Sequence, residues 1–507
     1  MKKIFSILFI ISLVLVFSSS GVMAEELVIM SSEAPLTMDP ANATADTSSS
    51  VVDPAYDTLT EFNKDKEVVA NIATDWYPSE EGDEWTYELR EGVEFHDGNN
   101  LDANAVKSSF ERILDPDSGL ATRSRFADVI EEVEVVDDYT VKFILKDTYP
   151  AFPHLTSLIS GSIISPDAIE EGGDYLSKNV VGSGPYKFVE WETGEQVVLE
   201  KNEDYWGEEV EVERLVYKWT SEDSGRVMAL QTGDADIIYG VPAVHAETIE
   251  NASELELYEQ PSDRAYWVAL NTLHEPLNNK KVRQALNYAT NRQALIDSIL
   301  DGRGTLPNSP MGPISFGYDS DLEGYEYDLD KARELLEEAG YSDGFEVPVA
   351  VQEAEADIAE AIQGMWAEIG VDVEINQMEY GTWEDVVYTE KEDNEGYSVF
   401  ANWAASLLDA DGVLTPLFHT DSFVPEGANL GFYSNEKVDS LLDDAANSVD
   451  SDERLELYSE AQEIIQDEGA HVTFYYENSL VAMHEKVENV WVDATGTPKI
   501  KNPKISD

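Results

Sequence analysis

Residues 358–375 read IAEAIQGMWAEIGVDVEI, and this stretch decides the architecture. Ile358, Ala359, Ile362, Trp366 and Ile369 recur at helical spacing, Gly370 supplies a stop, and Val371, Val373 and Ile375 then alternate as in a strand. A helix running through a glycine into a strand is the repeating unit of an α/β fold. The same pattern continues on both sides. Upstream, Val282, Ala285, Leu286, Ala289, Leu295, Ile296 and Ile299 form one helical stripe stopped by Gly302, and Leu329, Ala332, Leu335, Leu336 and Ala339 repeat it between an Asp328 cap and Gly340. Downstream, an amphipathic helix over 455–465 precedes a strand over 472–476. Before residue 270 the chain is mixed and richer in strands: Trp85, Tyr87 and Leu89 alternate, and so do Val141, Phe143 and Leu145. No internal repeat or low-complexity tract interrupts this order. A chain of 507 residues is too long for one simple core, so at least two globular units are expected.

Composition sets the compartment. Lys2 and Lys3, an apolar run over 4–17, and Val22-Met-Ala24 make residues 1–24 a secretory signal, so an exported, periplasmic protein is expected. With no cysteine there is neither a disulfide nor a lipid-modified cysteine, which excludes a lipoprotein. The chain holds 103 acids against 32 bases, a formal charge of −71, and none of those acids lies in the signal. Such self-repulsion is largely screened at ~1 M salt, where the Debye length falls to about 3 Å, and the balance reads as adaptation to salinity. Disorder is excluded by a 42% hydrophobic content with the acids spread throughout. Nucleic acid is excluded as a partner, because no basic stripe exists to neutralise phosphates.

The stretch 399–420, VFANWAASLLDADGVLTPLFHT, is the candidate ligand site. An apolar strand leads through Asn402 into Trp403, then small residues, then Asp409 and Asp411. An aromatic face with room beside it and carboxylates nearby can enclose and orient an organic molecule.

Six blocks in order carry a family resemblance: Thr37-Met-Asp-Pro; Leu89-Arg-Glu-Gly-Val-Glu-Phe-His-Asp-Gly followed by Ala103-Asn-Ala-Val; Gly182-Ser-Gly-Pro-Tyr; Asn202-Glu-Asp-Tyr-Trp-Gly; Asn271 leading to Val282-Arg-Gln-Ala-Leu-Asn-Tyr-Ala; and Tyr327-Asp-Leu-Asp-Lys-Ala-Arg-Glu-Leu-Leu. Together they resemble the peptide/nickel class of extracellular solute-binding proteins of ABC importers. Asp409-Ala-Asp-Gly, Pro416-Leu-Phe-His and Phe432-Tyr-Ser-Asn are most similar to the glutathione-binding and dipeptide-binding members. The resemblance implies a two-lobed α/β binding protein with mixed sheets. Lobe I is expected over 25–268 plus 482–507, with an inserted subdomain at roughly 45–190, and lobe II over 269–481. It further implies a small-peptide ligand, a membrane permease as partner, a monomer, no cofactor and no catalysis. In dipeptide-binding relatives a Trp-x-x-Asp arrangement pairs with the ligand's ammonium group; here the matching residues are Trp403 and Ser406. A serine cannot neutralise a buried ammonium, so another acid substitutes or the ligand differs. Asp409 and Asp411 are the nearest candidates, and glutathione-binding relatives also carry serine near this point. For a ligand carboxylate, Arg123, Arg125, Arg264 and Arg303 are available, with Arg264 and Arg303 taken as the site candidates.

Two of these segments read as scaffold. Gly182-Ser-Gly-Pro-Tyr is a turn whose glycines permit positive φ, and Phe95-His-Asp-Gly98 is a hairpin turn and not a catalytic pair. The seven histidines show neither i,i+3 nor i,i+4 pairing, which gives a dedicated zinc or nickel site no support. Residues 319–330 match a calcium loop only loosely, with Asp330 in place of the final glutamate and Asp328 already capping a helix. Alternatives are a metal-chelate-binding or oligosaccharide-binding transport protein, or a secreted hydrolase. For the last, no Gly-x-Ser-x-Gly elbow occurs.

Overall fold

Two long strands, Leu255–Ala269 and His471–His484, pair antiparallel from Leu255 opposite His484 to Ala269 opposite His471 and form the spine of an 11-stranded sheet. The computed structural model describes residues 26–404, 407–425 and 427–506. The secretory segment 1–24 and Ser406 lie outside the described residues.

The spine joins two different half-sheets. At one end Val481, Ala482 and Met483 pair with Ile237–Tyr239, and the sheet continues through Glu26–Ser31, Arg214–Trp219, Gln196–Lys201 and Tyr186–Glu192. At the other, Arg264–Ala269 pair with residues 399–404 of the strand Ser398–Ala404, followed by Phe345–Gln352 and Val371–Met378. The spine's register shifts between Pro261 and Ala265, where one half gives way to the other, and again between Tyr266 and Trp267, inside the second half. Such a shift bends and twists a strand pair locally.

The stretch 358–375 forms a helix and strand as its periodicity requires. The helix is Ala356–Ala367, Gly370 takes a positive φ of 84°, and Val371–Met378 lies parallel to Phe345–Gln352. Ile358, Ile362 and Trp366 face a core shared with Val347, Val349, Val371 and Val373. Trp366 satisfies its buried indole N–H on the Thr290 hydroxyl at 3.0 Å. Leu329–Ala339 is capped by Asp328, whose Oδ1 accepts from the Asp330 and Lys331 backbone N–H groups, and ends at Gly340 with φ 87°.

Residues 73–145 build a separate four-stranded antiparallel sheet. The helix Ala103–Leu114 packs beside it over an aromatic core of Tyr87, Phe110, Phe143 and Phe152.

Three expectations change. The stripe over 282–299 is two helices, Lys280–Tyr288 and Arg292–Ile299, because Asn291 caps the second by accepting from the Ala294 N–H. The strand expected over 472–476 runs to His484, since its polar middle is paired rather than looped. Gly182 and Gly184 do not have positive φ; a Cβ would lie 2.1 Å from Ala55 O at the first and 2.6 Å from Pro54 O at the second. Close backbone approach, not turn geometry, requires those glycines. The His96 turn docks on this loop, its Nε2 bonding Gly184 O at 3.0 Å.

Candidate functional site

A cavity of about 280 Å³ opens in the C-terminal half of the sheet, and every residue lining it lies between 267 and 430. Its walls are Trp267 from the spine, Ala401, Asn402 and Trp403 from the neighbouring strand, and Tyr380, Trp383 and Tyr388 from the helix Tyr380–Val387 and its exit. Leu417, Ala428 and Leu430 close the floor, and Gln352 marks a polar edge. Because side chains alternate along a strand, Trp267 and Trp403 reach the same face from paired strands, with Ala265 opposite Trp403 and Ala401 opposite Trp267. The small partners leave the space.

Some polar groups around the cavity have work left to do. The indole N–H groups of Trp267 and Trp383 are buried and have no hydrogen-bond partner among the described residues. Trp403 instead donates to Gly412 O at 3.1 Å, which fixes its ring. On the opposite face of the sheet, because Asn402 alternates with Ala401 and Trp403, runs a charged row: Arg264 Nη1 donates to Asn402 Oδ1 at 2.5 Å, and Asn402 Nδ2 donates to Glu355 Oε1 at 2.8 Å. Burial raises the Glu355 carboxyl above the usual carboxylate range, and the Asn402 hydrogen bond only partly offsets it. Burial raises Glu477 likewise, opposed by Arg264. His471 stacks on Trp267 with ring centroids 5.3 Å apart, and burial pulls its imidazole down to about 3.

The expected site residues separate into distinct places. Trp403 is in the wall, whereas Asn402 borders the cavity but alternates onto the opposite face of the sheet, where its side chain meets Arg264. Asp409 is fully buried, and both its oxygens accept from Arg454 at 2.8 and 3.1 Å. Asp411 opens the helix Asp411–Phe418 and accepts from the Thr415 hydroxyl at 2.7 Å. Burial raises its carboxyl, and the neighbouring Asp409 raises it further. Arg303 is held by Glu250 at 2.9 Å and Glu259 at 2.6 Å, away from the cavity walls. Arg123 spends its guanidinium on the carbonyls of Leu114 and Asp115. The wall residues Trp267, Tyr380, Trp383 and Tyr388, and Glu355 behind them, carry no motif. The aromatic spacing of 380, 383 and 388 after a strand is the one local signal that marks them.

Among the described residues no group of three His, Asp or Glu is placed to hold a metal ion. In the 319–330 loop Asn308 occupies the carbonyls of Asp319, Ser320 and Leu322, and Asp319 accepts from Ser459 at 2.5 Å.

A second cavity, about 210 Å³, lies where Trp76, Trp85, Pro153 and His154 meet Phe316, Val449 and Arg454. It sits between the four-stranded sheet's unit and the C-terminal half.

Comparison with known proteins agrees in kind. The model of the bacterial extracellular solute-binding proteins, family 5 middle region, matches residues 67–424. The glutathione-binding protein GsiB of Salmonella typhimurium is 33% identical over 461 residues, 90% of each chain. The structure of HbpA2 from Haemophilus parasuis superposes with a TM-score of 0.89 at 28% identity, covering 95% of this chain and 100% of that one. The periplasmic binding protein DppA from Helicobacter pylori, in complex with the peptide STSA, has a TM-score of 0.74 at 30% identity over 96% of this chain and 99% of that one.

Proposed function

The chain belongs to the bacterial extracellular solute-binding proteins of family 5, and from that premise we propose that it captures a small peptide and delivers it to the membrane permease of an ABC importer. The ligand class is a dipeptide, a short oligopeptide or a glutathione-like peptide. The observation that carries this reading is the cavity beside Trp403, where aromatic faces surround two unused indole donors. A peptide offers apolar side chains and carbonyl acceptors, and so complements both.

The clamp's lobes are residues 25–268 with 482–507, bearing an inserted subdomain at roughly 45–190, and residues 269–481. The spine supports this division, because it is the element shared by both half-sheets and its first register shift, between Pro261 and Ala265, falls where one gives way to the other. Hinge closure over the aromatic wall would bury the ligand between the lobes. Residues 1–24 direct export, the protein works free in the periplasm without a lipid anchor, and its acidity suits molar salt. It performs no catalysis and acts as a monomer.

The test is titration of the purified protein in ~1 M NaCl with di- and tripeptides and glutathione, following tryptophan fluorescence and thermal unfolding. Saturable binding with a raised midpoint and no product release is expected. A panel with no response would sink the peptide reading, and a response accompanied by turnover would replace it with hydrolysis.

A further inference from the structure

The cavity of about 210 Å³ is walled by two parts of the chain that fold separately. On one side Trp76 and Trp85 come from adjacent strands of the four-stranded sheet. Trp76 pairs with Tyr87 and Pro78 with Trp85, so both indoles stand on the face that carries the aromatic core. Pro153 and His154 follow in the short helix Phe152–Leu155. Opposite them are Phe316 and, near the start of the helix Ser451–Glu468, Arg454. His154 and Phe316 meet across the gap with ring centroids 6.3 Å apart. Phe316 also bridges to Asp409 through the backbone, and Leu407 packs against the subdomain's core, so the loop after Trp403 borders this space as well.

Two nitrogen atoms of the wall residues are buried with no hydrogen-bond partner among the described residues: Nε1 of Trp85 and Nδ1 of His154. The indole nitrogen can only donate, and a buried donor left unused is costly. Water is a poor occupant. One ordered water needs only about 10–15 Å³ of such space, and each needs about two to four polar partners, which walls of indole, proline and phenyl do not supply. The walls also carry no net charge. No carboxylate lines the cavity in a chain with 103 acids. Arg454 is already neutralised, since Asp409 accepts from Nη1 and Nη2, Tyr458 from Nη2 and the Ala445 carbonyl from Nε. Burial pulls the His154 imidazole down, Asp409 opposes this and Arg454 adds to it, which keeps the ring neutral. A charged group entering here would lose its water and find no free counter-charge.

We propose that this cavity is a second binding site, which takes an uncharged aromatic or branched apolar group bearing a hydrogen-bond acceptor for the Trp85 N–H. Trp76, Pro153 and Phe316 supply its apolar contacts. Two sources offer this chemistry: a free small molecule, or the outer residue of a peptide whose first residues lie beside Trp403. The site rests on its own walls and not on peptide capture. Because those walls belong to the subdomain and to the C-terminal half, an occupant ties the two together.

The chain has no cysteine, so Val68→Cys places a single reporter thiol on the cavity wall. Its alkylation by iodoacetamide in ~1 M NaCl, followed by mass spectrometry, is measured with benzamide, benzoate and benzylamine, which are similar in size and differ in charge. Benzamide should slow alkylation saturably and at least fivefold, while the two charged molecules leave it within twofold. Adding Trp85→Phe keeps a ring and removes the N–H, and should raise the benzamide concentration for half-protection at least fivefold with the circular dichroism unchanged. No saturable protection by benzamide, equal protection by a charged analogue, or protection unaltered in folded Trp85→Phe overturns the assignment. If Trp85→Phe does not fold, the charge comparison alone decides, and if the thiol at 68 does not react, Val449→Cys replaces it. Protection by Ala-Ala-Tyr beyond that given by Ala-Ala assigns the site to an outer peptide residue. Protection by benzamide, with none from the tripeptide beyond Ala-Ala, assigns it to a free small molecule.

Discussion

Arg454 holds both carboxylate oxygens of Asp409, at 2.8 and 3.1 Å, in a pair that is almost wholly removed from solvent. The guanidinium also lies 5.1 Å from the centre of the Phe316 ring and reaches the Tyr458 hydroxyl at 3.0 Å. It therefore ties the loop after Trp403 to the helix Ser451–Glu468 and to the segment around residue 316. Breaking one side of a buried pair leaves the other charge uncompensated. Asp409→Ala should destabilise the protein by about 3–5 kcal/mol in urea unfolding at constant salt. Replacing both partners by apolar residues should recover much of that loss, and solute affinity of the folded fraction should change little.

Tyr380 lines the cavity but is 57% exposed, with its ring stacked 6.1 Å from that of Trp383. Tyr380→Ala should therefore leave unfolding within about 0.5 kcal/mol of wild type while lowering solute affinity. Isothermal titration beside thermal unfolding measures both. A matched loss in the two would make the residue structural only.

His471 gives a pH signature. Its folded-state imidazole is pulled down to about 3 from 6.5 by burial, so it stays neutral in the folded protein while the unfolded chain protonates. The contribution is fully present above pH 6.5 and is lost as pH falls from there toward 3. In this window His471→Phe should flatten the stability slope by up to about 1.4 kcal/mol per pH unit. Urea midpoints measured between those limits test it, and an unchanged slope would mean that the ring does not remain neutral.

With 103 acids and 32 bases, unfolding should depend steeply on salt. Raising NaCl from ~0.1 to ~1 M shortens the Debye length from about 10 to about 3 Å and should raise the midpoint. A flat response in scanning calorimetry would count against adaptation to salinity.

Gly182→Ala would place its Cβ 2.1 Å from the Ala55 carbonyl oxygen, against backbone that cannot yield as a side chain does. The cost should reach or exceed the ~1–3 kcal/mol of ordinary overpacking. Gly98→Ala, which has φ 85° and open space around it, should cost less by the same measurement.

The legibility of the chain varies from place to place. Helices such as Leu329–Ala339 were readable because cap, periodicity and C-terminal glycine all act within a few residues. The break at Asn291 was not, since the apolar stripe continues unbroken across it and only the cap geometry divides it. Asn402 and Trp403 stood out by their surroundings on one strand, whereas Trp383 joins Trp403 through packing from a separate helix and Trp267 through strand pairing across more than a hundred residues.

The sequence by itself determined what is local or summed: the helix–strand alternation, the caps, the strongly acidic charge, and the family's order of blocks. Which of the buried acids stands without a cation was decided only by the tertiary structure. Asp409 sits in the more suggestive segment but is matched by Arg454, 45 residues away, while Glu355 sits in an unremarked turn and is matched only by Asn402. The reason is physical. A carboxylate's chemistry depends on what replaces its water, and those neighbours arrive from distant strands that no local period records.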